Sequence, residues 1–377
     1  MRETQQLKIG IVGKRGASHV DGLRAAPEAF IAAVCETDPV ALDRIASEKG
    51  IPRRFRDFDE MVASDLDAIL VATPMHLHVP QTLAALAAGK HVLCEVTAAI
   101  SLDECAALAA GVRASGRKYM LAENYIYTRE NLLVRSMARA GLFGEIYYAE
   151  GAYIHDCHDI QYDADGNPTW RVTWQVGRNG CTYGTHSLGP VLDWLDDRLA
   201  TITCLGSGVH TVKAHKMDDT VTVLGKTTRG ALVTVRCDMQ SHRPHNMTHY
   251  ALQGTRGAYQ SARRTGEPNL VWIEGRSPGA QTWQRLEEYE REFLPEPWRS
   301  LGEEASRAGH GGSDYFVARD FVRAILDDRD PPIDVYRALD LTAPGLVSEE
   351  SIARGGVPLP VPDYRALPPA GTPLPER

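Results

Sequence analysis

Along the first 125 residues, short and almost unbroken apolar runs take turns with longer stretches of helical period. Lys8 to Val12, Phe30 to Cys35, Ala68 to Ala72 and His91 to Glu95 read as strands, since aliphatic residues follow one another with little polar interruption. Between them, Pro39 to Lys49 and Val79 to Ala88 space their apolar residues as helices do, and Gly89-Lys90 ends the second helix in the manner of a C-terminal cap. Strand and helix in alternation predict βαβ units and a parallel sheet.

After Asn124 the pattern changes. A helix over Arg129 to Ala140 stops at Gly141, and the strands that follow alternate in polarity. Thr220 to Leu224 and Ala231 to Cys237 flank a Thr-Thr-Arg-Gly turn, which is a hairpin signal. Further strands fit Ile146 to Tyr153, Ile202 to Val212, Thr248 to Gln253 and Leu270 to Ile273. This half reads as an open, mainly antiparallel sheet with helices on one face. A helix from Asp314 to Leu326 would be capped through Ser313. The tail from Val357 holds seven prolines and predicts no regular structure. The domains expected are 1–125, 126–356 and a Pro-rich tail, 357–377.

Composition changes this picture little. With 43% hydrophobic and 24% charged residues the chain is an ordinary globular protein, and a net charge of -8 argues against a nucleic-acid partner. No run approaches the roughly 20 apolar residues of a membrane span. The start has no secretory leader, and seven scattered cysteines suggest no disulfide framework. A cytoplasmic location is expected.

Chemistry begins at Ile9-Gly-Ile-Val-Gly-Lys-Arg-Gly16, a glycine turn after a strand that opens into a helix, where backbone N–H groups can approach a pyrophosphate. Its spacing departs from G-x-G-x-x-G, because Arg15 stands at the middle-glycine position. Glu36, about twenty residues further at the end of the next strand, suits the adenosine ribose hydroxyls and repels a 2'-phosphate. Gly13, Lys14, Arg15, Gly16 and Glu36 together predict a dinucleotide site, with NAD favoured over NADP.

Ala72-Thr-Pro-Met-His-Leu-His78 and Gly89-Lys-His-Val-Leu-Cys-Glu95 resemble the glucose-fructose oxidoreductase / inositol dehydrogenase (Gfo/Idh/MocA) superfamily. The resemblance implies an α/β fold: an N-terminal Rossmann domain followed by an α/β domain with a large, mainly antiparallel open sheet, often the interface of a homo-oligomer, here a dimer or tetramer. It also implies that Thr73, Pro74, His76 and Glu95 border the cofactor. Sugar dehydrogenases of this superfamily carry Glu-Lys-Pro where this chain has Glu95-Val96-Thr97, so the usual acid/base lysine is missing. Glu95 to Glu104, Met120 to Asn124, Gly151 to Asp156, Trp170-Arg171, Arg178 to Val191 and Gly309 to Asp314 are similar, in the same order, to the NAD-dependent glycosidases of the superfamily, the α-N-acetylgalactosaminidases and sulfoquinovosidases. In those enzymes valine also replaces the lysine, although Thr97 departs from their usual proline.

By that resemblance the reaction is redox-neutral. Hydride leaves sugar C3, the resulting ketone acidifies the C2 proton, the aglycone is eliminated from C1, water adds and C3 is reduced again. Tyr153 and His155, two apart on a strand, share a face; Tyr153 is the implied C2 base, with His155 beside it. Tyr183 and His186, in a loop before the helix marked by Leu188, Val191, Leu192 and Leu195, are implied at the sugar and its leaving group. Glu123 and Asn124, at the domain junction, match residues that position sugar and cofactor. Trp170, Arg171, Arg178, His310 and Asp314 are implied substrate contacts.

A lone Tyr or His in a loop is more often structural, and Trp170 or Trp174 could be core; the ordered set favours function. His155-Asp-Cys-His158 offers ligand types for a metal, but no second cluster has ligand spacing, so none is expected. The leading expectation is an NAD-dependent glycoside hydrolase, leaning to sulfoquinovosides, whose sulfonate would need donors such as Arg171, Arg178, Lys213, Lys216 or Arg243. The alternatives are a sugar or cyclitol dehydrogenase lacking the lysine and a non-catalytic NAD-binding protein.

Overall fold

The computed structural model describes residues 6–244 and 246–366. They form two units, one within residues 6–127, 301–339 and 363–366, the other within residues 128–300 and 340–362.

In the first unit, β1 (Leu7–Val12), β2 (Ala29–Cys35), β3 (Arg53–Phe55), β4 (Ala68–Val71), β5 (His91–Cys94) and β6 (Tyr119–Leu121) make one sheet in the order β3-β2-β1-β4-β5-β6. Every pair is parallel. The order reverses at β1, which makes the crevice beyond the ends of β1 and β4 the place where such a sheet takes its ligand. Asp38 caps the helix Pro39–Glu48 by accepting from Val40 N at 2.9 Å, and Ser101 caps Leu102–Ser115 by accepting from Glu104 N at 3.1 Å. Gly89 ends the helix His78–Ala87 at φ 75°, as its place in the sequence predicts. The helix Ser313–Leu326 also belongs to this unit and packs so closely on Val20–Arg24 that a Cβ on Gly22 would lie 2.8 Å from Asp314 O. Its N-cap is Gly312; the Ser313 hydroxyl donates to His310 O at 3.1 Å and does not cap the helix.

The second unit holds a sheet of nine strands. They are β7 (Ile146–Ile154), β8 (Leu199–Gly206), β9 (Val221–Thr227), β10 (Leu232–Asp238), β11 (Asn246–Gly254), β12 (Gly257–Gln260), β13 (Leu270–Ile273), β14 (Gln284–Arg285) and β15 (Leu359–Pro360), in the order β14-β13-β12-β11-β7-β10-β9-β8-β15. All pairs are antiparallel except β7 with β10. Along β9, Val221, Val223 and Gly225 are buried while Leu224 and Lys226 are exposed, the alternation of a sheet covered on one face. The expected strand Ile202 to Val212 instead starts at Leu199 and ends at Gly206, where a Cβ would lie 2.0 Å from the Asp218 carboxylate. The proline-rich tail does contain a strand, β15, because its edge position leaves the missing proline N–H without consequence for the ladder; residues beyond 366 lie outside the described ones. No helix among the described residues is long and apolar enough to cross a membrane.

β7 lies centrally, and at Gly151-Ala-Tyr-Ile154 its alternation stops, each residue being buried. The helix Thr185–Leu195 rests directly on it: a Cβ on Gly151 would sit 2.4 Å from Ser187 O, so only glycine allows the approach.

Candidate active site

Gly13 follows β1 with φ 92°, and a Cβ there would lie 2.5 Å from Ala72 O, so the turn is specific to glycine. A Cβ on Gly16 would lie 2.2 Å from Ile11 Cγ2. Lys14–His19 continues as a 3-10 turn into Val20–Arg24. Glu36 reaches back to this turn: its Oε2 accepts from Lys14 N at 2.8 Å, and its Oε1 from Thr37 N at 2.8 Å and Thr37 Oγ1 at 3.1 Å. A glycine turn too tight for side chains, with an anchored carboxylate beside it, fits the pyrophosphate and ribose of a dinucleotide.

Glu95 follows β5 directly, its side chain 12% exposed. Its Oε1 accepts from His19 Nε2 at 2.7 Å and faces Arg15 Nε at 3.5 Å, while Oε2 accepts from Val96 N at 3.1 Å. Burial alone would raise its pKa, but the His19 imidazolium and Arg15 hold it well below the usual carboxylate range. Burial likewise opposes the charge on His19, and Glu95 outweighs it, raising the imidazole. The sequence reading missed His19; a histidine just after a glycine turn was its only mark. Thr73 donates to Gln81 Oε1 at 2.6 Å, and Pro74 precedes the turn Met75–Leu77 that carries His76. Burial, then neighbouring His78, lowers the His76 pKa. His78 spans the carbonyls of Thr97 and Thr73 at 2.7 and 2.9 Å. Both acceptors require N–H on the ring, and against the cost of burial they and Cys94 raise its pKa to about 9.

Asn124 Nδ2 donates to Asp314 Oδ1 at 2.9 Å, and His310 Nδ1 lies 3.0 Å from both oxygens of the same carboxylate. Asp314 is buried, which alone would raise its pKa; His310, His19 and Asn124 lower it instead. Asn124, 190 residues before Asp314, thus joins His310 and Asp314 in one group in the first unit, with Asn124 and Asp314 buried and His310 partly exposed. Glu123, also buried, accepts from Tyr125 N at 3.2 Å.

The second unit gathers four rings. Tyr153 OH and His155 Nδ1 are 2.9 Å apart, and the Tyr153 ring centre lies 5.2 Å from that of His186 and 5.8 Å from that of Tyr183. Tyr183 and His186 are themselves 5.4 Å apart. His186 lies within the first turn of Thr185–Leu195, one element later than the expected loop. The loop 178–184 is pinned to the helix Val335–Ala353: Arg178 makes a two-pronged pair with Glu349, Ser348 Oγ accepts from Cys181 N at 2.7 Å, and Gly345 leaves room for Cys181 O. The Arg178 fork is therefore engaged within the fold. Arg171 stacks over Trp170 at 4.6 Å and donates to Gln175 Oε1 at 2.9 Å, both on the helix Trp170–Trp174 that Thr169 caps. Lys213 Nζ donates to Val209 O.

The comparisons with known proteins agree with both halves. Residues 7–123 match the oxidoreductase family with the NAD-binding Rossmann fold, so the cofactor is NAD, and residues 127–366 match the glycosyl hydrolase 109 C-terminal domain. An alpha-N-acetylgalactosaminidase of Tannerella forsythia is 29% identical over 95% of this chain and 86% of its own length. A glycosyl hydrolase family 109 protein of Solibacter usitatus is 29% identical over 95% of this chain and 88% of its own. Among solved structures, an oxidoreductase domain protein from Kribbella flavida aligns with a TM-score of 0.80 at 22% identity, covering 95% of this chain and all (100%) of its own. Levoglucosan dehydrogenase in complex with NADH aligns at 0.79 and 22% identity, over 95% of this chain and 100% of its own; at such identity these two show the fold alone. The chain belongs to the glycosyl hydrolase 109 family, its characteristic C-terminal domain following an NAD-binding Rossmann fold.

Proposed function

We propose that this protein hydrolyses glycosides with NAD as a recycled cofactor, and that Tyr153, His155, Tyr183 and His186 carry the proton transfers. The observation that supports this most is the four-ring cluster, in which the Tyr153 hydroxyl meets a histidine nitrogen at 2.9 Å. NAD, when bound, accepts hydride from sugar C3 and later returns it. Gly13, Lys14, Arg15 and Gly16 hold its pyrophosphate and Glu36 its ribose, while Thr73, Pro74, His76, Glu95 and Asn124 line its nicotinamide end. Tyr153, its phenol proton passed to His155, takes the proton from C2. His186 or Tyr183 protonates the departing aglycone oxygen and then receives a proton from the water that adds at C1. After exchange with water, Tyr153 returns a proton to C2, so protons balance and the sum is hydrolysis. Glu123 orients the sugar, and Trp170, Arg171, His310 and Asp314 contact it.

For the sugar, an α-N-acetylgalactosaminide is the first reading: a relative carries that name, and two donors expected for a sulfonate, Arg178 and Lys213, are engaged within the fold. A sulfoquinovoside is the second reading, and its sulfonate would have to draw Arg171 from Gln175. A panel of nitrophenyl glycosides incubated with NAD separates them: aglycone release from the N-acetylgalactosaminide and not from the sulfoquinovoside is expected, and the reverse refutes the order. Steady growth of NADH with oxidised sugar would mark a dehydrogenase instead.

A further inference from the structure

Beyond the four-ring cluster the chain places three ligand-type side chains around one point. Asp156 and His158 follow β7, and His242 follows β10; the backbones of Asp156 and Gln240 pair as an isolated bridge, which brings the two segments together. The Asp156 Oδ1 meets His158 Nδ1, and its Oδ2 lies 3.9 Å from His242 Nδ1. One candidate ligand atom from each residue lies within 4.8 Å of the others. In the sequence only His155-Asp-Cys-His158 stands out, because the third member, His242, comes from a distant segment.

We propose that Asp156, His158 and His242 bind one late first-row divalent cation of the Zn2+ or Co2+ class. Two imidazoles and one carboxylate suit such borderline ions, and three protein ligands leave a position for water. Mg2+ and Ca2+ prefer sites made of oxygens. The two rings now stack, their centres 4.6 Å apart and their planes at 12°. A bound metal lies in the plane of each imidazole, so loading tilts the rings apart and draws both Nδ1 atoms onto the ion beside the carboxylate.

The surroundings favour this use. His158 Nε2 is sealed from solvent with no hydrogen-bond partner among the described residues. With Nδ1 on a metal, that nitrogen carries the proton and seeks an acceptor, as metal-bound histidines do. A bound ion would tie the end of β7, where Tyr153 leads on to His155, to the segment after β10.

The test uses the full chain without a histidine tag, stripped with a chelator and titrated with Co2+ while its visible absorption is followed, then displaced with Zn2+. One equivalent is expected. Asp156→Asn and His242→Ala are expected to weaken binding by more than about tenfold, while His210→Ala, a histidine elsewhere on the surface, titrates like the parent. His242 is 66% exposed, so its removal leaves the fold intact, which circular dichroism checks. No saturable Co2+ binding, or binding unchanged in both variants, overturns the proposal.

Discussion

Glu95 and His19 are sealed in the first unit as an ion pair at 2.7 Å, in the place where superfamily dehydrogenases put their glutamate beside a lysine. The carboxyl is lowered and the imidazole raised from their ordinary values, so the pair's contribution is complete between the unfolded values of about 4.3 and about 6.5. It is lost as pH falls through the lowered Glu95 value or rises through the raised His19 value. His19→Gln leaves the nearly buried carboxylate with the Val96 N–H and a half-exposed Arg15 but without its imidazolium, and is expected to cost about 3–5 kcal/mol in urea unfolding at mildly acidic pH, with a smaller loss well above neutrality; an equal loss at both would contradict the pairing. In the other unit, Tyr153→Phe keeps the ring and removes the proposed base. A fall in kcat of about 10²–10⁴-fold is expected, the usual range for acid–base groups, with NAD affinity unchanged by calorimetry. Glycine turn, Glu36 and Val96 were readable in the sequence because each lies in a local pattern. His19 and His242 were not, since their partners come from distant segments.

The helix Thr185–Leu195 shows how one element sets the site. Pro190 has no N–H, so the His186 carbonyl four residues earlier lacks its helical donor. Tyr250 OH on β11 supplies one at 2.6 Å within the buried core. Pro190 and Tyr250 therefore fix where His186 stands beside Tyr153. Tyr250→Phe orphans that carbonyl and is expected to destabilise by about 1–3 kcal/mol, read by thermal or urea unfolding. Gly151→Ala places a methyl 2.4 Å from Ser187 O and must displace the helix that bears His186. A lower kcat with NAD binding intact is the expected result, and unchanged turnover would show that His186 tolerates displacement. The strands alternate legibly, and Leu270–Ile273 is found where the pattern puts it. β3, β6, β12, β14 and β15, of two to four residues each, were missed.

At the scale of the molecule, the two halves of the chemistry have separate signatures. The NAD-binding match, residues 7–123, lies within the first unit, while the glycosyl hydrolase 109 match, residues 127–366, covers the second unit and also residues 301–339 of the first. Helix Ser313–Leu326 returns to the first unit, which periodicity cannot reveal because an amphipathic helix does not say which core it covers. NAD at one hundred times its Kd is expected to stabilise the protein by about 2.7 kcal/mol. Glu36→Ala should weaken NAD and narrow its advantage over NADP, measured by calorimetry with both; an unchanged preference would remove Glu36 from the ribose.

The central claim is that oxidation at C3 is transient and serves elimination. Turnover of a nitrophenyl glycoside with NAD in deuterated water tests it directly: the account predicts aglycone release, no accumulation of NADH and deuterium at C2 of the free sugar. Release without deuterium at C2, or NADH rising in step with product, would contradict it.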